Sequence, residues 1–283
     1  MKFMMIVKYF KKFFYFKSIL KYFPELFVFF FFVYILNADA KDFEINVTEH
    51  KGDTIQFSGF DWVVKESFGK QTGPGNNYFS GSKDNIFVDN DGKLHLIITH
   101  RNEKWYCPEL RMLKNLGRGK YSFYLDPLPQ PLDKDVVIGL FLYDREDTSN
   151  FHKEIDIEIS KWGIDTSKNT QFVIQPKETE AYRFQSDLNL ATKQTIELGS
   201  KKINFKSFYD ASGLDDIPLE YSNLTIKPEY NYKSTSEKIS INVWLYHTSE
   251  PYSLKEFEVV FSKFEFEPFW YDKIFNFLKK KKK

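Results

Sequence analysis

From residue 41 to residue 267, apolar side chains recur with a period of two, and no stretch of ten residues keeps the 3.6-residue period of a helix. Residues 94–98, 120–126 and 136–143 are the clearest examples, and the last is an apolar, β-branched run typical of a buried strand. Further strands are predicted at 203–208, 239–246 and 257–266, with turn sequences at 73–75 and 90–92. Many short strands separated by turns predict an all-β domain in which two antiparallel sheets form a sandwich or jelly roll.

The first forty residues differ from this domain and have the pattern of an export signal. Six lysines precede the apolar run Leu26–Leu36, and Ala38 and Ala40 supply small residues for a signal peptidase. A helix of eleven residues would be about 16 Å long, too short for a bilayer core of about 30 Å. We therefore expect cleavage near Ala40 and a secreted, periplasmic or cell-surface protein. The competing interpretation is an uncleaved membrane anchor.

Residues 268–283 form an aromatic segment that ends in five lysines. One interpretation is a short amphipathic helix that contacts an anionic membrane surface. The other, which we favour, is an aromatic segment docked on the domain and followed by a solvated lysine tail. The domain itself is expected to be a monomer.

The net charge of +1 conceals an acidic domain. Without the lysines of residues 1–40 and 279–283, 29 of the 40 basic residues remain; without Glu25 and Asp39, 37 of the 39 acids remain, which gives a balance of −8. This balance argues against a nucleic-acid-binding domain. A single cysteine, Cys107, excludes an intrachain disulfide and a thiolate zinc cluster, and we expect no metal and no cofactor.

Residues 152–162 contain three acids at alternate positions. In a strand, Glu154, Asp156 and Glu158 share one face, while the three isoleucines between them share the other and are candidates for the core. Acids spaced about 6–7 Å apart repel one another, so at least one should have a raised pKa, as a general acid requires. His152, Ser160 and Trp162 follow the same alternation.

Paired carboxyl groups of this kind carry out glycoside hydrolysis, in which one acts as acid and the other as nucleophile or base. Glu154 and Glu158 are candidates for that pair, with Asp156 between them. On a flat strand they would be about 13 Å apart, whereas retaining enzymes need about 5 Å, so the strand would have to be concave. The alternative is an amphipathic strand with a solvated polar face.

The strand and its context resemble glycoside hydrolase family 16, in the form found in lichenases. The resemblance rests on the uninterrupted acidic motif at 154–158 and extends from about residue 56 to residue 267. The other motifs are the strand-turn-strand at 85–94, Cys-Pro-Glu-Leu-Arg at 107–111, Gly-Arg-Gly-Lys-Tyr at 117–121, the apolar strand 136–143 and Asn-Val-Trp at 242–244.

The resemblance implies a concanavalin A-like jelly roll with sugar bound in a groove of one sheet. It implies that Glu154 is the nucleophile, Glu158 the acid/base and Asp156 their helper. Contacts to sugar are implied for Glu109 and Arg111 on a neighbouring strand and for Asn242 and Trp244 on the far side of the cleft. For Trp244 the alternative is a core aromatic, and for Glu109 and Arg111 it is a surface ion pair.

The chain departs from this family at positions 152 and 107, and its region 181–212 lacks a tryptophan that family members have. His152 stands where lichenases have a tryptophan, so it is either a sugar contact beside the nucleophile or an ordinary exposed histidine. Trp162 would then replace the missing stacking platform, or else pack at the end of the sheet. Lichenases pair the cysteine at the position of Cys107, which has no partner here, so a buried thiol is expected.

Two functions of different class follow. The first is an exported retaining glycosidase or transglycosylase that acts on a β-linked polysaccharide such as a β-glucan. The second is a non-catalytic carbohydrate-binding protein on the same sandwich, because fold does not fix function. The intact acidic strand favours the enzyme.

Overall fold

A computed structural model describes residues 53–147, 152–165, 167–176, 181–209, 219–226, 236–247 and 250–269. The described residues form eighteen strands: β1 (Thr54–Phe57), β2 (Phe60–Val64), β3 (Gln71–Thr72), β4 (Asn77–Phe79), β5 (Ile86–Val88), β6 (Leu94–Arg101), β7 (Lys104–Cys107), β8 (Glu109–Met112), β9 (Gly119–Leu125), β10 (Val136–Tyr143), β11 (Ile155–Ser160), β12 (Thr170–Ile174), β13 (Tyr182–Phe184), β14 (Thr192–Leu198), β15 (Ile203–Tyr209), β16 (Leu219–Ile226), β17 (Lys238–Leu245) and β18 (Phe257–Pro268). Within these ranges no helix is long and apolar enough to cross a membrane.

The strands form two sheets whose order differs from the order of the chain. The first sheet has eight strands in the order β1-β2-β8-β17-β10-β11-β12-β13. The second has ten, in the order β16-β15-β14-β9-β18-β6-β7-β4-β3, with β5 paired to β6. The pairs are antiparallel except β4 with β7, so the prediction of two antiparallel sheets holds with one parallel exception. Neighbours such as β8 and β17 lie far apart in sequence, as long jelly-roll connections require.

The core lies between the sheets because each strand turns alternate apolar side chains towards it. Ile155, Ile157 and Ile159 of β11 are all 0% exposed, which confirms the core face predicted for the acidic strand. In the second sheet, Tyr121, Phe123 and Leu125 of β9 are buried as their alternation predicts. Contacts such as that between Phe172 of β12 and Phe205 of β15, with ring centroids 5.1 Å apart, join the two sheets.

Several sequence-based predictions can be compared with this fold. The all-β sandwich and the buried thiol of Cys107 are confirmed. Contacts divide the chain into two units, Met1–His50 and Lys51–Lys283. The predicted export signal and nearly all of the lysine-rich tail lie outside the described residues, so cleavage near Ala40 and membrane contact by the tail stay predictions, as does the monomeric state.

Candidate functional site

The three acids of the predicted catalytic strand lie on the face of the eight-stranded sheet that points away from the core. Asp156 and Glu158 belong to β11, and Glu154 directly precedes it. Asp156 is only 4% exposed, whereas Glu154 and Glu158 are half-buried. The amide of Gln175 donates to Asp156 Oδ2 at 3.4 Å. All three acids line one cleft of about 680 Å³.

Strand pairing aligns a row of residues, polar except for Gly139, across the sheet that forms the floor of this cleft. The row crosses seven segments of chain, with each residue opposite the next: Lys65, Glu109, Asn242, Gly139, Glu158, Gln171 and Arg183. A second row runs parallel to it and contains Arg111, Ser240, Phe141 and Asp156. Because neighbouring strands are about 4.8 Å apart, a row of this length offers a binding track suited to an extended polymer.

On the β8 side of the cleft, Glu109 is held by two partners. Lys65 Nζ donates to Glu109 Oε2 at 2.8 Å and to the carbonyl of Gly73 at 2.7 Å. Asn242 Nδ2 donates to the same carboxylate oxygen at 3.4 Å. Glu109 therefore forms an ion pair with Lys65 inside the cleft, which differs from the surface ion pair that was the alternative for Glu109 and Arg111.

The orientation of Asn242 leaves an acceptor for a ligand. Asn242 is 3% exposed, and among the described residues its buried Oδ1 has no hydrogen-bond partner. Oδ1 lies over Gly139, where a Cβ atom would collide with it, so glycine at this position makes room for the amide. A buried unpaired acceptor is costly, and a sugar hydroxyl could satisfy it.

On the β12 side, a chain of contacts fixes the carboxylate of Glu158. Gln171 Nε2 donates to Glu158 Oε2, and Arg183 Nε donates to Gln171 Oε1 at 2.8 Å. Because a guanidinium can only donate, the amide oxygen of Gln171 must face Arg183 and its NH₂ group must face Glu158. The guanidinium of Arg183 also lies 4.4 Å from the centre of the Trp162 ring.

The connection from β10 to β11 positions Glu154 through Asp144. Asp144 is 1% exposed; it accepts from Lys153 Nζ at 3.1 Å and from Ser236 Oγ at 2.5 Å. Its N–H donates to the carbonyl of His152 at 2.8 Å. His152 and Lys153 have φ angles of 48° and 50°, a left-handed conformation that costs energy and reverses the chain just before Glu154.

The pKa values of Tyr143 and Arg111 in the cleft are shifted. Burial, with the charge of Glu154, raises the pKa of Tyr143, so its hydroxyl stays protonated and able to donate at neutral pH. Burial, with the nearby charge of Arg145, lowers the pKa of Arg111 to about 10, which leaves Arg111 charged at neutral pH. Among the described residues, no group of three or more His, Cys, Asp or Glu side chains could hold a metal ion.

Eight of the nine predicted site residues lie together. Those that line the cleft are Glu109, Arg111, His152, Glu154, Asp156, Glu158, Asn242 and Trp244. Trp162 does not line it. Strand β11 ends at Ser160 and Trp162 has a φ of 45°, so the alternation that was to place it beside the acids no longer applies there. The ring is 8% exposed and packs on Arg183, and sugar contact by Trp162 is therefore not proposed.

Further residues that were not predicted from the sequence also line the cleft, among them Lys65, Phe141, Tyr143, Arg145, Gln175 and Ser240. Alternation could have identified Phe141 and Tyr143, since Leu140 and Leu142 between them are core residues. Lys65 and Arg145 had no such signal, because one follows its strand and the other lies in a connection.

Comparison with known proteins supports the fold. No protein-family model matches the chain, and no curated protein matches it in sequence. Solved structures do match. A Bacillus licheniformis β-glucanase has a TM-score of 0.55 and 17% identity, and the match covers 78% of this chain and all of that one.

Two other structures give the same result. A β-1,3-1,4-glucanase (lichenase) from a mouse hindgut metagenome has a TM-score of 0.51 and 19% identity, covering 74% of this chain and 93% of that one. A glycoside hydrolase family 16 protein of Bacteroides ovatus, solved in complex with a product, has a TM-score of 0.53 and 13% identity. That match covers 73% of this chain and 94% of the other. The fold of this chain is the jelly roll of these β-glucanases.

Proposed function

We propose that the protein is an exported retaining glycoside hydrolase or transglycosylase that cleaves a β-linked polysaccharide such as a β-glucan. The observation that carries the proposal is that Glu154, Asp156 and Glu158 face one cleft in a jelly roll of the β-glucanase kind. In the same cleft, the buried Oδ1 of Asn242 could accept a hydrogen bond from a sugar hydroxyl group. The half-buried ring of Trp244 could pack against the apolar face of a sugar.

In the proposed mechanism, Glu154 attacks the anomeric carbon while protonated Glu158 donates its proton to the leaving oxygen. The deprotonated Glu158 then activates water, or the hydroxyl of an acceptor sugar, to open the glycosyl-enzyme. Both steps invert the anomeric carbon, so its configuration is retained overall. Asp156, buried between the two, tunes their protonation, and the contact from Gln171 holds the Glu158 carboxylate in place.

Substitution of the acids tests this assignment on a panel of β-glucans and galactans. Glu154→Gln should abolish turnover but keep glycan binding, because it removes the nucleophile at constant size. Glu158→Gln should keep most activity on substrates whose leaving group needs no proton. Glu197→Gln on β14, in the other sheet, is the matched control and should match the wild type.

NMR of the first-formed product should show retained configuration. An inverted product, or full activity in Glu154→Gln, would rule the mechanism out. If every glycan of the panel bound and none was turned over, the protein would be a non-catalytic carbohydrate-binding protein.

A further inference from the structure

Two cationic side chains of the cleft, Arg111 on β8 and Arg145 after β10, have no anionic partner in the described part of the chain. Both line the cleft, and neither guanidinium forms a hydrogen bond or an ion pair with any residue that the structure describes. Arg111 is half-buried and Arg145 is exposed. A guanidinium withdrawn from water normally has a carboxylate or phosphate partner, because burying an unpaired charge is costly.

Other cations near the cleft are neutralised by acids. Lys65 lies 2.8 Å from Glu109, and Lys153 lies 3.1 Å from Asp144. Glu109 attracts Arg111 electrostatically, but its carboxylate is already held by Lys65 and Asn242. The arginines are therefore a distinct feature of the cleft, and among the described residues neither of them forms an ion pair with an acid.

The two guanidinium groups also act on each other. The charge of Arg145 lowers the pKa of Arg111, so the two are close enough to repel. An anion between the two guanidinium groups would relieve both the repulsion and the desolvation of Arg111. A guanidinium presents two parallel N–H donors, which match the oxygens of a carboxylate or a sulfate ester.

We propose that Arg111 and Arg145 form a subsite for an anionic substituent, a carboxylate or a sulfate ester, carried by the polysaccharide in the cleft. The inference rests on the proposed function and specifies its substrate class. In the second row, β17 and β10 separate Arg111 from Asp156 on β11, so Arg111 lies about 14 Å along the sheet from the acids. The subsite would therefore bind a sugar residue of the polymer other than the one at which cleavage occurs.

Three polymers with one backbone test the proposal: a neutral β-glucan, the same glucan lightly sulfated, and the same glucan with part of its primary hydroxyls oxidised to carboxylates. Binding is measured by calorimetry at low salt on the full chain carrying Glu154→Gln, which prevents turnover. The quantity compared is the ratio of charged to neutral affinity, so a general loss of binding cancels. We expect at least one charged polymer to bind about tenfold more tightly than the neutral one.

Arg111→Gln and Arg145→Gln should each bring this ratio close to one, and Arg111→Lys, which keeps the charge but loses the paired donors, should give an intermediate ratio. Arg118→Gln, outside the cleft, is the matched control and should leave the ratio unchanged. Thermal melting confirms that each variant is folded. A preference for the sulfated polymer, the oxidised polymer or both would support the proposal and identify the anion.

Equal affinity for neutral and charged polymers would overturn the inference. So would a preference that survives both Arg→Gln changes, or one that Arg118→Gln removes equally. If the wild type still cleaved the neutral glucan in those cases, the proposed function would stand and the anion subsite alone would fall. Absence of binding to all three polymers, with no turnover by the wild type, would overturn both.

Discussion

At the scale of single residues, Gln171 is the side chain that best explains how Glu158 is held. Its amide donates to Glu158 on one side and accepts from Arg183 at 2.8 Å on the other. The contact engages Oε2 of the carboxylate. Donation to the carboxylate favours its charged form, so Gln171 affects both the position and the protonation of the proposed acid/base.

Gln171→Ala should therefore lower kcat by about tenfold, which corresponds to the loss of one hydrogen bond to a charged group. Because the charged form of Glu158 loses a donor, the proton should be retained to higher pH. The alkaline limb of the pH profile of kcat/KM should consequently move upwards.

Gln185→Ala, an exposed change outside the cleft, provides the control for this experiment. A pH profile of Gln171→Ala that superimposes on the wild-type profile would show that the contact has no part in the reaction.

At the scale of structural elements, the connection between β10 and β11 depends on one buried acid. Burial opposes ionisation of Asp144, but the hydrogen bonds from Ser236, Lys153 and the N–H of Glu146 outweigh it and lower the pKa of Asp144. The unfolded value is about 3.9. The stabilisation is therefore fully present above that pH and is lost as pH falls towards the lower pKa of the folded state.

Asp144→Asn should lower the free energy of unfolding by about 2 kcal/mol at pH 7, because the ion pair with Lys153 is lost while the amide oxygen still accepts from Ser236. Denaturant unfolding at pH 7 and at pH 3 measures the effect. The difference in stability between the two proteins should be smaller at the lower pH.

The exposed Asp91→Asn should change stability by less than about 0.5 kcal/mol at either pH. If Asp144→Asn destabilised the protein equally at both values, the pH dependence assigned to Asp144 would be wrong.

At the scale of the whole molecule, aromatic side chains hold the two sheets together. Phe264 of β18 is 2% exposed, and its ring centroid lies 5.2 Å from those of Trp62 and Phe123 and 5.3 Å from that of Phe60. Trp62 and Phe60 belong to the eight-stranded sheet, and Phe123 belongs to the other. The cleft lies on the outer face of the first sheet, so its shape depends on this packing indirectly.

Phe264→Ala should lower the free energy of unfolding by about 3–5 kcal/mol, because the change leaves a cavity between the sheets. Circular dichroism and tryptophan fluorescence should report the same unfolding transition, since the sheets share one core.

Phe68→Ala, at a position that is 84% exposed, should leave that transition unchanged. Loss of tryptophan packing at a lower denaturant concentration than loss of strand structure would show that the sheets do not unfold together.

The class of fold and the acidic strand of the site could both be predicted from the sequence. The alternation of apolar and polar residues shows which face of a strand is apolar. It correctly predicted that Ile155, Ile157 and Ile159 lie in the core and that Asp156 and Glu158 lie on the opposite face of β11. That information is local, because it depends only on the alternation of side chains along an extended backbone.

Which segments of the chain meet in the cleft could not be predicted from the sequence, because it depends on how the strands are ordered in the sheet. Lys65 and Glu109 are 44 residues apart and Glu109 and Asn242 are 133 apart, and sheet order alone makes them neighbours. Alternation carries no information about strand order or register, nor about positions beyond a strand end. The same limit explains why Trp162 was misplaced and why Lys65 and Arg145 were missed. Non-local strand pairing brings the arginines together, whereas the periodicity of any one strand is fixed by its own sequence.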